Sequence, residues 1–216
     1  MPTNTNESKF IKEIVDLIRS GLSKEELTEK LQDYHDNDIA QALENLDKKE
    51  RIAFYHLLDT EWLSEIITFL DDPEKYISEI EIEKLAAVIN EMDSDDAVDL
   101  LEEIDEDVKE KLRPILNEDV KADINLINSY DEDEIGSLMT TNYICINRSL
   151  NIRQAMRELI QQAGENDNIS TLYVTDDDGK FYGAIDLKDL IIARENDELS
   201  ALISESYPYL MDHDKI

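Results

Sequence analysis

Apolar residues in the first 130 positions recur at helical spacing. After Asp59 come Leu63, Ile66, Ile67 and Leu70; after Asp93 come Ala97, Leu100, Leu101 and Ile104; after Asp105 come Val108, Leu112, Ile115 and Leu116. Offsets of about 4, 7, 8 and 11 place one apolar face on each segment. Pairs of an apolar residue and an aspartate punctuate the series: Leu46-Asp47, Leu58-Asp59, Leu70-Asp71, Met92-Asp93 and Ile104-Asp105, at intervals of 12, 12, 22 and 12 residues. Aspartate suits an N-cap, because its carboxylate accepts backbone N–H bonds of the first turn. The long interval around Pro73 predicts one extra short helix and a loop. Helices of roughly ten residues do not hold alone in water, so their apolar faces must stack. The pattern predicts an α-superhelix of short helices, with Phe54, Tyr55 and Trp62 as core or groove packing.

The pattern changes at Gly136. No glycine lies between Gly21 and Gly136, whereas four of the five glycines fall at 136 or beyond. Tyr143–Ile146 and Thr171–Thr175 are β-rich runs, Asp177-Asp178-Gly179-Lys180 reads as a hairpin turn, and Phe181–Ile185 is the returning strand. Between the first two runs, Ser149 is expected to cap a helix carrying Leu150, Ile152, Ala155, Met156, Leu159 and Ile160, which stops by Gly164. Leu187–Ile192 opens a last helix. The order β-α-β-β-α predicts a small α/β unit after the helical one, so the expected fold class is α + α/β. The acidic run Asp131-Glu132-Asp133-Glu134 marks the boundary, with residues 1–130 as the superhelix.

Charge sharpens this division. The chain has 53 acidic and 21 basic side chains, a formal net charge of −32. Residues 1–135 carry 39 of the acids and 14 of the bases, so −25 of the charge lies there. Such a surface repels nucleic-acid phosphates and anionic lipid, and no nucleic-acid partner is expected. No run approaches the roughly 20 apolar residues of a membrane helix. The start, MPTNTNESKF, lacks a signal peptide's basic and apolar stretches, so a soluble, unexported chain is expected. The single cysteine, Cys145, allows no internal disulfide. His35, His56 and His213 lack zinc spacing, and neither a phosphate-binding glycine loop nor a nucleophile elbow occurs. The chain therefore reads as a non-enzyme.

Most of the acids read as caps and wet helix faces. Asp95 and Asp99 admit two readings. At i and i+4 they share one helix face, where like charges cost roughly 0.2–0.5 kcal/mol unless a cation lies near them. Mg²⁺ takes oxygen ligands of this kind. Equally, acids near a helix start are favoured by the helix dipole without any metal.

The hairpin with Val174, Asp176 and Gly179, followed by Gly183-Ala184-Ile185-Asp186-Leu187-Lys188-Asp189-Leu190, resembles the cystathionine-β-synthase (CBS) motif. With the junction YDEDEIGSLMT at Tyr130–Thr140 and the short-helix superhelix before it, residues 30–205 resemble the cytosolic part of an MgtE-family magnesium transporter. The resemblance implies an N-terminal MgtE domain over residues 1–130, a CBS-type β-α-β-β-α domain over 131–205, and the start of a second motif over 206–216. It implies a regulatory Mg²⁺ held by Asp95, Asp99 and the backbone carbonyl of Ser137, where the family more often has glycine; Glu134, near in sequence, is a candidate for a further or water-mediated ligand. It also implies ATP near Thr171, Lys188 and Asp189, although Asp186 replaces a usual hydroxyl residue and its charge opposes a phosphate. A homodimer through the CBS region is implied, as is a membrane pore domain, with the chain on the cytoplasmic face of the membrane. The second motif's helix and hairpin and the pore lie outside the sequence. The chain is thus expected to be part of a longer protein and to conduct no ions by itself.

Overall fold

Contacts divide the chain after Leu126 in the computed structural model, which describes residues 7–216 except 165 and 167. The first unit is built from α1 (Glu7–Ile18), α2 (Lys24–Leu31), α3 (Asp36–Leu43), α4 (Lys48–Leu57) and α5 (Thr60–Thr68). It continues through α6 (Pro73–Ile77), α7 (Ile82–Ile89), α8 (Ser94–Glu103) and α9 (Glu106–Leu112), and most of α10 (Glu118–Ile127). Alternate helices stack: α1 packs on α3, α3 on α5, α5 on α7 and α7 on α9. Ile39 and Leu43, Leu63 and Ile66, and Leu85 and Ile89 are the fully buried contributions of three successive layers to one core. Each large-to-alanine truncation in such a layer costs about 2–5 kcal/mol.

The aspartate punctuation sets several helix starts. Asp47 accepts from the backbone N–H groups of Lys49 and Glu50 at 2.8 and 2.9 Å, and Glu50 returns the bond to Asp47 N–H, which completes a capping box. Asp59 accepts from Trp62 N–H at 2.9 Å. Asp93 and Asp105 hold the N-cap positions of α8 and α9. At the third repeat the cap falls on Asp72 instead of Asp71, because Pro73 supplies the first helical residue with its φ already set. The 22-residue interval holds both α6 and α7.

Among the described residues, one ion pair of this unit is buried. Arg51 of α4 donates from Nε and Nη2 to the two carboxylate oxygens of Glu79 at 2.8 and 2.6 Å, and its Nη1 donates to the Leu46 carbonyl. The two side chains are only 8% and 5% exposed. Glu79 holds the guanidinium pKa above its ordinary value, against the opposing effect of burial. All the guanidinium nitrogens have acceptors, as a desolvated charge requires.

The second unit contains β1 (Ile144–Asn147), α11 (Ile152–Gln162), β2 (Thr171–Thr175), β3 (Phe181–Asp186) and α12 (Leu187–Ile192). The order β-α-β-β-α and the fold class are as expected. The sheet runs β1-β2-β3, with β1 parallel to β2 and β2 antiparallel to β3. Its inner side, Ile144, Ile146, Leu172, Val174 and Ile185, shares a core with Ala155 and Leu159 of α11 and Leu190 of α12. Gly179 turns the hairpin at φ +77°, a conformation few side chains tolerate. The cap of α11 is Asn151, in a box with Gln154, and not Ser149. Ser149 instead bonds to the Asn147 side chain and finishes the turn after β1.

The final residues fold back within this unit. Ser204 exchanges two backbone bonds with Ala184 at 2.8 and 3.2 Å. Gly183 permits that approach, since a Cβ there would meet the Ser204 carbonyl oxygen at 2.7 Å. Further on, Ile135 and Gly136 donate to the carbonyls of Asp214 and Asp212, and Ile216 donates to Asp133. The Tyr130 ring covers Gly136, where any Cβ would come within 2.5 Å of it.

Candidate functional site

Asp95 and Asp99 lie one turn apart on α8, whose first turn also carries Asp96. The Oδ1 atom of Asp95 is buried and has no hydrogen-bond partner. That is costly for a carboxylate oxygen, which in water always finds a donor. The Asp96 carboxyl is pushed up to about 6, first by burial and then by the charges of Asp95, Asp93 and Asp99. Asp99 is exposed. The arrangement concentrates like charge where one oxygen already lacks a donor, and a hard cation relieves both penalties.

Ser137 belongs to the second unit, in the 3-10 turn Ile135–Leu138. Its hydroxyl donates to the Glu134 carbonyl at 2.8 Å, so the side chain serves the turn. Glu134 is already engaged in its own unit. It accepts from Asp131 N–H at 3.0 Å, and His213 Nδ1 lies 3.2 Å and Lys215 Nζ 3.7 Å from its other oxygen. These contacts, led by the backbone bond, hold its carboxyl below the ordinary value. Lys215 also meets Asp133 at 2.6 Å and Asp131 at 3.9 Å. The sequence carried no signal for this pairing across about eighty residues. Among the described residues no group of three or more His, Cys, Asp or Glu is placed to hold a metal. A cation at α8 would therefore complete its shell with carbonyls or water, as Mg²⁺ commonly does.

The second set of expected residues gathers at one end of the sheet. Thr171 and Asp186 are register partners across β2 and β3. Asp186 then caps α12, accepting from Lys188 N–H at 2.8 Å, and Lys188 and Asp189 are exposed on its first turn. Position 186 thus gains a structural explanation: an aspartate there starts the helix that presents Lys188 and Asp189.

Comparison with known proteins joins these observations. The model of the MgtE intracellular N domain matches residues 34–133, and that of the CBS domain matches residues 135–196. The magnesium transporter MgtE of Enterococcus faecalis is 30% identical over 207 residues, which take in 93% of this chain and 46% of that protein. The chain belongs to the MgtE family. Its fold matches a crystal structure of the soluble part of a magnesium transporter with a TM-score of 0.86 at 24% identity, over 97% of this chain and 83% of that one. It also matches the cytosolic domain of the Mg²⁺ channel MgtE in complex with ATP, with a TM-score of 0.78 at 24% identity, over 88% of this chain and 78% of that one. The chain spans less than half the length of the curated MgtE relatives it matches. Among the described residues no helix is long and apolar enough to cross a membrane. The MgtE N domain holds Asp95 and Asp99, and the CBS domain holds Ser137, Thr171, Lys188 and Asp189.

Proposed function

We propose that this chain is the Mg²⁺-sensing regulatory part of a magnesium transporter or channel, working on the cytoplasmic face of the membrane and not as an enzyme. Asp95 and Asp99 of the N domain and the main-chain carbonyl of Ser137 hold the ion. It supplies the charge that lets carboxylate-bearing surfaces meet. Docking favours the closed state of a membrane pore domain elsewhere in the full-length protein; when Mg²⁺ falls, repulsion between the acids favours release. A ligand shifts such an equilibrium only through its differential affinity. A site whose ligands come from two domains has that property. The observation that carries the reading is the buried, unpartnered Oδ1 of Asp95 beside the raised Asp96 carboxyl.

Small-angle scattering of this chain with and without millimolar Mg²⁺ tests it. The expected result is compaction on adding Mg²⁺, abolished in Asp95→Ala with Asp99→Ala. No compaction of the parent chain overturns the docking model.

Two further features belong to the same reading. Ile160, Ile191 and Ile192 on α11 and α12 are between 61% and 70% exposed, and apolar side chains in such number suit a homodimer through the CBS region. ATP is proposed as a second ligand at Thr171, Lys188 and Asp189, with Lys188 meeting phosphate and Asp189 accepting from ribose. Calorimetry with ATP in Mg²⁺-free buffer is expected to show binding that weakens in Lys188→Ala. Absence of heat in the parent chain removes ATP from the reading and leaves the Mg²⁺ site untouched.

A further inference from the structure

Away from α8, the helical unit has a cleft bounded by α2, α3 and α5, with a volume of about 360 Å³. That is within the range of pockets that hold side chains and small ligands, about 300–1,000 Å³. Its walls include Tyr34 and Trp62, and among the described residues lining it Asp36, Asp59, Glu61 and Glu65 are acidic and none is basic. Trp62 is tied down once through its ring and once through its backbone. Trp62 Nε1 donates to Asp36 Oδ1 at 2.6 Å, and its backbone N–H donates to Asp59 Oδ1. Lys84 acts on Asp59 electrostatically, yet its ammonium is committed to the Leu58 carbonyl at 2.9 Å.

Acidity is shared by most of this unit, and the acids alone mark nothing. What distinguishes the place is a concave wall that carries an indole tied through its ring N–H to one of the lining carboxylates. Indole is the strongest aromatic partner for a cation, and a guanidinium or ammonium group pairs with carboxylates in the same position. Thr28 and Gln32 add neutral polar lining on the α2 side. We propose that this cleft receives arginine or lysine side chains of a basic peptide segment from a protein partner. The inference stands apart from the Mg²⁺ reading, since none of the residues assigned to the ion lines the cleft.

Trp62 is the only tryptophan in the chain, so its emission reports on the cleft alone. The test is titration of the whole chain with an acetylated hexa-arginine peptide at physiological ionic strength. A saturable change in Trp62 emission is expected. Glu61→Lys with Glu65→Lys, one turn apart on α5, should weaken the peptide about tenfold through lost charge pairing. Asp36→Asn keeps an oxygen to accept the indole N–H while removing the charge, and should weaken it about threefold. Glu106→Lys with Glu110→Lys on α9 changes net charge by the same amount and should leave the Kd within about twofold. Equal losses in the two double variants would mean diffuse attraction to an acidic protein and would overturn the proposal, as would an unsaturable response. Melting curves establish that each variant is folded; if the α5 pair is not, Asp36→Asn decides against the α9 control.

Discussion

Glu79 and Asp95 of the helical unit both bury carboxylate oxygen, and they meet the loss of water in opposite ways. At Glu79 both oxygens meet the guanidinium of Arg51, which spends its remaining nitrogen on the Leu46 carbonyl. At the start of α8 the buried Oδ1 of Asp95 has no donor, and its neighbours Asp93, Asp96 and Asp99 add charge of the same sign. The first place carries its own counter-charge and is a fixed structural joint between α4 and the segment after α6. The second has its counter-charge to gain from solution. A chain with a net charge of −32 could have relieved either place with a single basic side chain. The difference is one of supply: added positive charge would relieve the start of α8 and has nothing to relieve at Glu79.

The largest expected effect breaks the joint. Glu79→Gln leaves the Arg51 guanidinium buried without its anion and is expected to lower unfolding free energy by roughly 3–5 kcal/mol, read by urea denaturation. A loss below about 1 kcal/mol would mean that the pair is dispensable and that the contrast with α8 is only apparent.

The second experiment removes charge at α8, where the opposite sign is expected. Asp96→Asn should raise stability at neutral pH by about 1 kcal/mol without divalent ions, because Asp96 is half-buried among like charges. The folded carboxyl titrates at about 6, above the unfolded value of 3.8. Its favourable contribution is therefore fully present below about pH 3.8 and lost as pH rises through about 6. Thermal melts across that window should show a fall in the parent chain that is smaller in Asp96→Asn. Identical profiles would remove the electrostatic account of α8.

The smallest effect comes from a surface carboxylate with its own partner. Glu50 is held down to about 2 by Arg19, at 2.7 and 2.9 Å, and by the Asp47 backbone N–H. Its contribution is present above the ordinary carboxyl value of 4.5 and lost as pH falls toward 2, the reverse of Asp96. Glu50→Gln keeps part of the capping box, so a slight loss at neutral pH that vanishes in strong acid is expected. An equal loss at both ends of the range would assign the effect to the cap and not to charge.

Much of this was legible in the chain. The offsets after Asp59, Asp93 and Asp105 and the capping aspartates Asp47 and Asp59 depend on local chemistry, which repeats with the backbone. So do the β-α-β-β-α order and the turn at Gly179. The misplacements were local competitions. Pro73 moved one cap from Asp71 to Asp72, and Asn151 with Gln154 made a better box for α11 than Ser149. At the site, the i, i+4 spacing of Asp95 and Asp99 was visible. The greater perturbation at Asp96 was not, because it follows from burial, which spacing does not report.

The sequence by itself determined the helix periods, the change of architecture at Gly136, the concentration of charge in the first 135 residues and the family, since each is written in neighbouring residues. Only the tertiary structure decided which acids matter. It joined Arg51 to Glu79 across 28 positions, placed Tyr130 over Gly136, engaged Glu134 with the final residues and left Asp95 Oδ1 without a donor. Such choices rest on which groups lose water on folding. That depends on the packing of helices distant in sequence, and the electrostatic strength of a carboxylate depends on it in turn.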